Sequence, residues 1–403
     1  MATSSVLRRT WTGPAFLSQG FRPFFLLGSL WAAGAMAAWI AMLAGGLALP
    51  TTLDPVSWHA HAFLFGYLGA VTAGFLLTAV PNWTGRLPLR GWPLLGLVLL
   101  WGAGRLAVST SALWPAGIAA LVDLAFPVAL AALTLREIVS GRNWRNLPVW
   151  GLVVLMTLGQ ALFHLEAARG GYAAGGPGLR VALAAAIMMI ALIGGRVVPG
   201  FTRNWLAKRD SIQLPRPFGT LDRAALAVTG IALLAWTAAP DHALSALLCL
   251  AAGVVNLIRQ GRWAGHRTLA EPLVWVLHLS YVFIPAGFLA VALATLIPGL
   301  TGATAAQHVW MAGAVGMMTL AIMTRASLGH SGRPLTAGPK VTLLYLALLV
   351  AIVARVFEDM VFAAWLLHLA GAAWIVAFLG FATIYWPILA RPRSAGRKKV
   401  RPA

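Results

Sequence analysis

Twelve stretches of about twenty apolar residues, separated by short polar loops, constrain this chain more than any other feature. A helix that crosses the hydrocarbon of a bilayer needs about 20 such residues, and the segments run over 21–45, 56–80, 91–109, 113–138, 147–168, 179–200, 220–239, 243–260, 271–297, 306–326, 339–357 and 360–388. Their length and their lack of alternation exclude strands. Of the 403 residues 60% are hydrophobic and 10% charged, which excludes an ordinary soluble domain as well as disorder. The first segment has no small-residue cleavage site after it and reads as a span, not a removed signal peptide. The expectation is an all-α polytopic membrane protein: a cytoplasmic segment 1–20, one twelve-helix transmembrane domain 21–388 and a basic cytoplasmic tail 389–403.

Charge sets the orientation. The net charge of +20 would suit a nucleic-acid partner if the basic residues were clustered, but they lie between apolar runs. With the N-terminus inside, 25 of the 30 Lys and Arg residues fall on the cytoplasmic side, among them Arg8, Arg9, Arg86, Arg203, Arg325, Arg333 and the tail from Arg391. That bias predicts two cytoplasmic termini, contact of the tail with anionic membrane lipid, and no nucleic acid. A lone cysteine, Cys249, excludes an internal disulfide and a cysteine-rich metal site.

The chain also repeats itself. A gapless shift of 247 residues lays His61 on His308, Gly66 on Gly313, Gly69 on Gly316, Thr72 on Thr319, Ala79 on Ala326 and Gly85-Arg86 on Gly332-Arg333. A weaker echo, Pro199 to Trp205 against Pro81 to Arg86, ends the sixth span, and Arg105 near the end of the third mirrors Arg355 near the end of the eleventh. These relations predict three copies of a four-helix unit, at about 21–140, 145–262 and 268–388, with functional sites where the copies meet.

Of nine histidines, seven lie in or at the ends of spans, where polar groups are costly and usually functional. Imidazole is a common neutral metal ligand, and a planar tetrapyrrole held between helices takes one ligand from each face. His61 and His308 fit that demand as symmetry mates on two spans, and the glycines after each would admit a flat ring. Hydrogen bonding to a neighbouring helix is the simpler reading of the same pair. Arg105 and Arg355 lie at similar depth and are candidate propionate partners, with snorkelling to the headgroups as the alternative. His59 and His61 are two apart and point about 200° away from each other on a helix, so His59 suggests a second metal site, with His164, His278 and His368 as candidate ligands. Asp123, near the middle of the fourth span, is a candidate for a proton path. Gln160 and His164 share a face of the fifth span, as a polar track or as plain interhelical bonding. The turns that hold Asn82, Trp83, Arg86, Arg203, Asn204, Trp205, Arg325, His330 and Arg333, with Arg196 inside its span, form an inner-face polar motif suited to an anion or small ligand. Positive-inside charge accounts for the arginines equally well, but not for the recurrence of Asn-Trp.

Several longer motifs, Trp58-His59-Ala-His61, Thr78 to Arg86, Gly194 to Trp205, Met323 to Arg333 and the opening Gly20-Phe-Arg-Pro-Phe-Phe25, resemble the NnrS family over most of the chain. The resemblance implies a twelve-helix protein of the bacterial inner membrane that contains haem b and copper and that protects against nitric oxide and nitrosative stress. Carried over by position, its histidines are His59, His61, His278, His308 and His330. One departure stands out: where the family usually places Glu-Met after the second histidine, this chain has Ala62-Phe63, which removes a carboxylate from beside the metal. Threefold repetition of twelve spans is also similar in architecture to the catalytic subunit of haem–copper oxidases, although metal-site histidines on the sixth and seventh spans are absent.

Three functions follow as expectations. The first is a haem and copper protein that binds or detoxifies nitric oxide, as an oxidoreductase fed by quinol or a redox protein if it is catalytic. The second is a non-enzymatic haem–copper sensor or metal-handling protein. The third is a secondary transporter, against which the scarcity of acidic companions for the span histidines counts.

Overall fold

In a computed structural model the described residues are 11–392, and among them every one of the twelve expected spans is a helix and no strand occurs. The helices are α1 (Phe21–Leu43), α2 (Pro55–Thr84), α3 (Trp92–Ser109), α4 (Ile118–Ser140), α5 (Trp144–Ala168), α6 (Pro177–Ala207), α7 (Thr220–Ala238), α8 (Ala243–Gly261), α9 (Pro272–Leu296), α10 (Ala303–His330), α11 (Pro339–Val361) and α12 (Ala364–Leu389). Each is long and apolar enough to cross a membrane, so the chain is a multi-pass membrane protein. Arg8, Arg9 and the tail from 393 lie outside the described residues.

Local chemistry places the helix ends. Proline occupies the first turn of α2, α3, α6, α9 and α11, where its missing N–H has no partner to lose. The Asp54 carboxylate caps α2 by accepting from the Ser57 N–H at 3.0 Å, and Gly85, with φ +71°, ends it. Inside helices, Pro81 and Pro199 do not stop α2 and α6, which run past the ends expected from hydropathy. Neighbouring helices can re-satisfy the groups a proline frees.

Consecutive helices pack antiparallel around the bundle, and α12 returns against α1 to close it. The Arg22 guanidinium seals that junction by donating to the carbonyls of Ile388 (2.9 Å), Leu389 (3.2 Å) and Arg391 (3.2 Å) at the end of α12. Burial divides the helices into two classes. The apolar windows of α2, α6 and α10 are 72, 56 and 89% buried, whereas those of the other nine are at most 44%. The interior helices are therefore four apart in chain order. Leucines such as Leu99, Leu106, Leu121 and Leu234 point outward, as side chains that face lipid do.

α2 and α10 share a further irregularity. Each changes to π-helix at the residue after its expected histidine, over Ala62–Tyr67 and Val309–Met317. A π-turn misaligns backbone carbonyls, which must find other donors when buried. In α2 two indoles supply them: Trp31 Nε1 donates to Ala62 O and Trp101 Nε1 to Gly66 O, both at 2.9 Å.

Candidate metal centre

A buried polar cluster forms where α2, α3, α4 and α5 meet. Arg105 on α3 and Asp123 on α4 flank the short turn between these helices, so the antiparallel hairpin brings them to the same depth. Arg105 Nη2 donates to Asp123 Oδ1. The other oxygen, Oδ2, accepts from His61 Nε2 on α2 at 2.9 Å, and from Gln160 Nε2 at 2.6 Å and His164 Nε2 at 2.8 Å on α5. Asp123 is fully buried and Arg105 and His61 nearly so. A guanidinium on one oxygen and three nitrogen groups on the other fix the orientation of the carboxylate. His61, Asp123 and His164 each offer a ligand atom, and these atoms lie within 4.8 Å of one another. With the Nε2 protons that reach Oδ2 moved to Nδ1 or released, two imidazole nitrogens and a carboxylate oxygen make the mixed donor set that suits copper(II) or zinc. The residues thus fit a first-row ion, with Gln160 and Arg105 orienting the carboxylate.

A second histidine cluster lies at the end of the bundle opposite the arginine-rich turns. His59 on α2 and His308 on α10 line one cavity of about 310 Å³, together with residues of α6, α9 and the adjoining loops. Arg355 on α11 is an electrostatic neighbour of both histidines and also pairs with Glu358 at 2.7 Å. His308 Nδ1 donates to the carbonyl of Thr304 at 2.8 Å, which leaves Nε2 as the nitrogen with a lone pair to offer. His59 stacks on Trp39 with 4.7 Å between ring centres.

The structure therefore regroups the residues expected from the sequence. His61 and His308 belong to different clusters: His61 turns toward Asp123 and His164, and it is His59 that shares a cavity with His308. His59 and His61 point to different neighbours, and it is His59, not the residue matched by the shift of 247, that lies with His308. Arg105, expected beside a propionate, is committed to Asp123, and Asp123 itself is an acceptor hub for four side chains. Gly66 meets the Trp31 indole and Arg105, Gly313 meets Phe283 and Gly316 meets Trp374, so these glycines admit aromatic side chains where a flat cofactor was expected. His278 accepts or donates at Thr202 Oγ1, 2.7 Å away between α9 and α6, and His368 is exposed on α12; neither joins a metal cluster among the described residues.

The inner-face motif is likewise divided. Arg86 pairs with Glu137, Arg203 donates to the Pro215 carbonyl, Arg209 stacks over Trp205, and Trp83 packs on Phe75. Asn82 donates to Thr78 O at 3.0 Å, while Arg196, Asn204 and Arg333 are exposed. Arg325 and His330 line a common cavity.

Sequence reasoning missed a second buried ion pair. Arg259 on α8, wholly buried, donates to Asp222 Oδ1 on α7 at 3.0 Å, to Ala191 O on α6 at 3.1 Å and to the Tyr281 hydroxyl on α9 at 2.9 Å. The signal was present: an Asp at the first turn of one span and an Arg at the last turn of its antiparallel neighbour share a depth.

Compared with known proteins, residues 15–393 match the family model described as NnrS protein. The chain belongs to the NnrS family. No curated protein matches it. Membership marks this NnrS protein as a membrane protein of the nitric oxide response, in a family associated with haem and metal binding, and the His61–Asp123–His164 group is a donor set in keeping with that association.

Proposed function

We propose that this NnrS protein is a haem- and copper-containing protein of the bacterial inner membrane, with both termini cytoplasmic, that binds or detoxifies nitric oxide. The observation that carries the metal reading is the convergence of His61, Asp123 and His164 from three helices on one buried point. In this reading that group holds copper. His59 and His308 hold the haem, with Arg355 beside its propionates, because these two imidazoles share a cavity and His308 already presents Nε2. When bound, the two groups would supply a site for a diatomic gas and one-electron chemistry. The protein's own part is electrostatic: Arg105 and Gln160 fix the Asp123 carboxylate, and the Thr304 carbonyl fixes the His308 tautomer. Electrons would come from quinol or a redox protein if the chain turns over; the non-enzymatic sensor or metal-handling role uses the same two sites without that supply.

Metal analysis and an absorption spectrum of the purified protein test the assignment. His164→Ala should lose copper and keep the haem bands, whereas His308→Ala should lose haem and keep copper. Loss of haem in His61→Ala with full haem in His59→Ala would reverse the ligand assignment. Consumption of nitric oxide by reduced protein in liposomes separates turnover from binding.

A further inference from the structure

At the arginine-rich end, the inner ends of α1, α2, α6 and α10 enclose a cavity of about 270 Å³. Its walls are apolar, with Phe21, Phe25, Phe75 and Phe201 among them, and its polar lining includes Thr78, Arg325 and His330. Arg325 is only 8% exposed, and its guanidinium lies over the Phe201 ring at 4.0 Å. Among the described residues it has no ion pair and no hydrogen bond. Glu271 is its acidic electrostatic neighbour, but Glu271 Oε1 accepts from the Leu273 and Ala337 N–H groups at 3.1 and 3.0 Å. Arg22 and Arg333, electrostatic neighbours of each other, add positive charge at this end of the bundle.

A buried guanidinium is costly unless paired, and stacking on one phenyl ring offsets only part of that cost. The aromatic walls, in turn, offer nothing to a small hydrated ion. Both conditions are met by one kind of ligand. We propose that this cavity binds an amphiphilic anion, with an oxyanion head on Arg325 and an apolar body among the four phenylalanines. A carboxylate and a phosphate share this chemistry, and the ligand can be drawn from the bilayer as a lipid or from the cytoplasm as a small organic acid. The site is separate from both histidine clusters, which share none of its lining residues.

Thermal unfolding of the purified protein in a neutral detergent, with added decanoate, decyl phosphate, decanol or acetate, tests the proposal. Decanoate and decyl phosphate should raise the midpoint in a saturable way, while decanol and acetate should not. Arg325→Gln should weaken decanoate at least about tenfold, since a charge-assisted bond is lost. Ala79→Leu, which keeps the charge and fills the cavity from α2, should weaken it as well, and serves if Arg325→Gln fails to fold. Native mass spectrometry of protein from cells then distinguishes the sources: a retained phospholipid mass marks the bilayer, a retained low-mass acid the cytoplasm. An equal response to decanol and decanoate, or undiminished decanoate binding in both variants, would overturn the proposal.

Discussion

Replacing Asp123 by Asn tests whether the buried cluster is an ionised carboxylate ringed by donors. The change keeps the shape and removes the charge. Asp123 is fully buried and Arg105 is 3% exposed, so the variant leaves an uncompensated guanidinium in the bundle interior. Removing one partner of a buried pair costs about 3–5 kcal/mol, and the new amide N–H group faces donors where acceptors are needed. We expect a loss of about 4 kcal/mol for Asp123→Asn. Arg105→Met should lose about 3 kcal/mol, because three other donors remain on the carboxylate. The double variant removes both charges and should lose about 3–4 kcal/mol, well short of the sum, for a coupling of about 3 kcal/mol. The assay is reversible unfolding by sodium dodecyl sulfate in mixed micelles, followed by tryptophan fluorescence for the four proteins of the cycle. A coupling below about 0.5 kcal/mol would refute the reasoning, since Arg105 and Asp123 would then not meet as charges. The cycle also has a metal readout: Arg105→Met keeps all three ligand side chains and should retain copper, which Asp123→Asn should weaken.

Two other perturbations probe the scaffold around the sites. A methyl group on Gly195 would overlap the Arg259 guanidinium, which Asp222, Ala191 and Tyr281 hold in place; Gly195→Ala should cost about 2–4 kcal/mol, read as a lower yield of monodisperse protein and a lower unfolding midpoint. Trp101→Phe preserves the ring packing but strips the donor from the Gly66 carbonyl in the π-helical turn, so it should cost about 1–3 kcal/mol in the same unfolding assay, and a neutral result would mean that the carbonyl has another donor.

How far the sequence could be read depends on the range of the forces involved. The helices were legible because hydrophobic length is a local property: the expected 21–45 became Phe21–Leu43, and 243–260 became Ala243–Gly261. Ends were missed where a helix continues beyond its apolar run, as in α6, expected to end at 200 and ending at Ala207. The metal group was visible only in pieces. Gln160 and His164 could be placed on one face of α5, and Asp123 could be singled out as a buried acid, but their meeting with His61 needs four helices packed at one depth. A rule that every intramembrane carboxylate must find a cation would have led from Asp123 to Arg105 across the α3–α4 turn.

The regrouping of the histidines has a physical cause in what packs around each of them. Two residues matched by a shift along the sequence face one another only when both point at a common axis. His61 has Arg105, from the helix after its own, among its electrostatic neighbours, and His308 has Arg355, from the helix after its own. Each histidine thus has an arginine of the next helix as a neighbour, and a π-helix follows each one. What differs is the rest of the surroundings: α4 and α5 bring Asp123, Gln160 and His164 to His61, while His308 lines a cavity with His59. One recurring motif therefore yields two chemically different sites, one built on a carboxylate and one on paired imidazoles. That difference is why His164→Ala and His308→Ala should remove different cofactors.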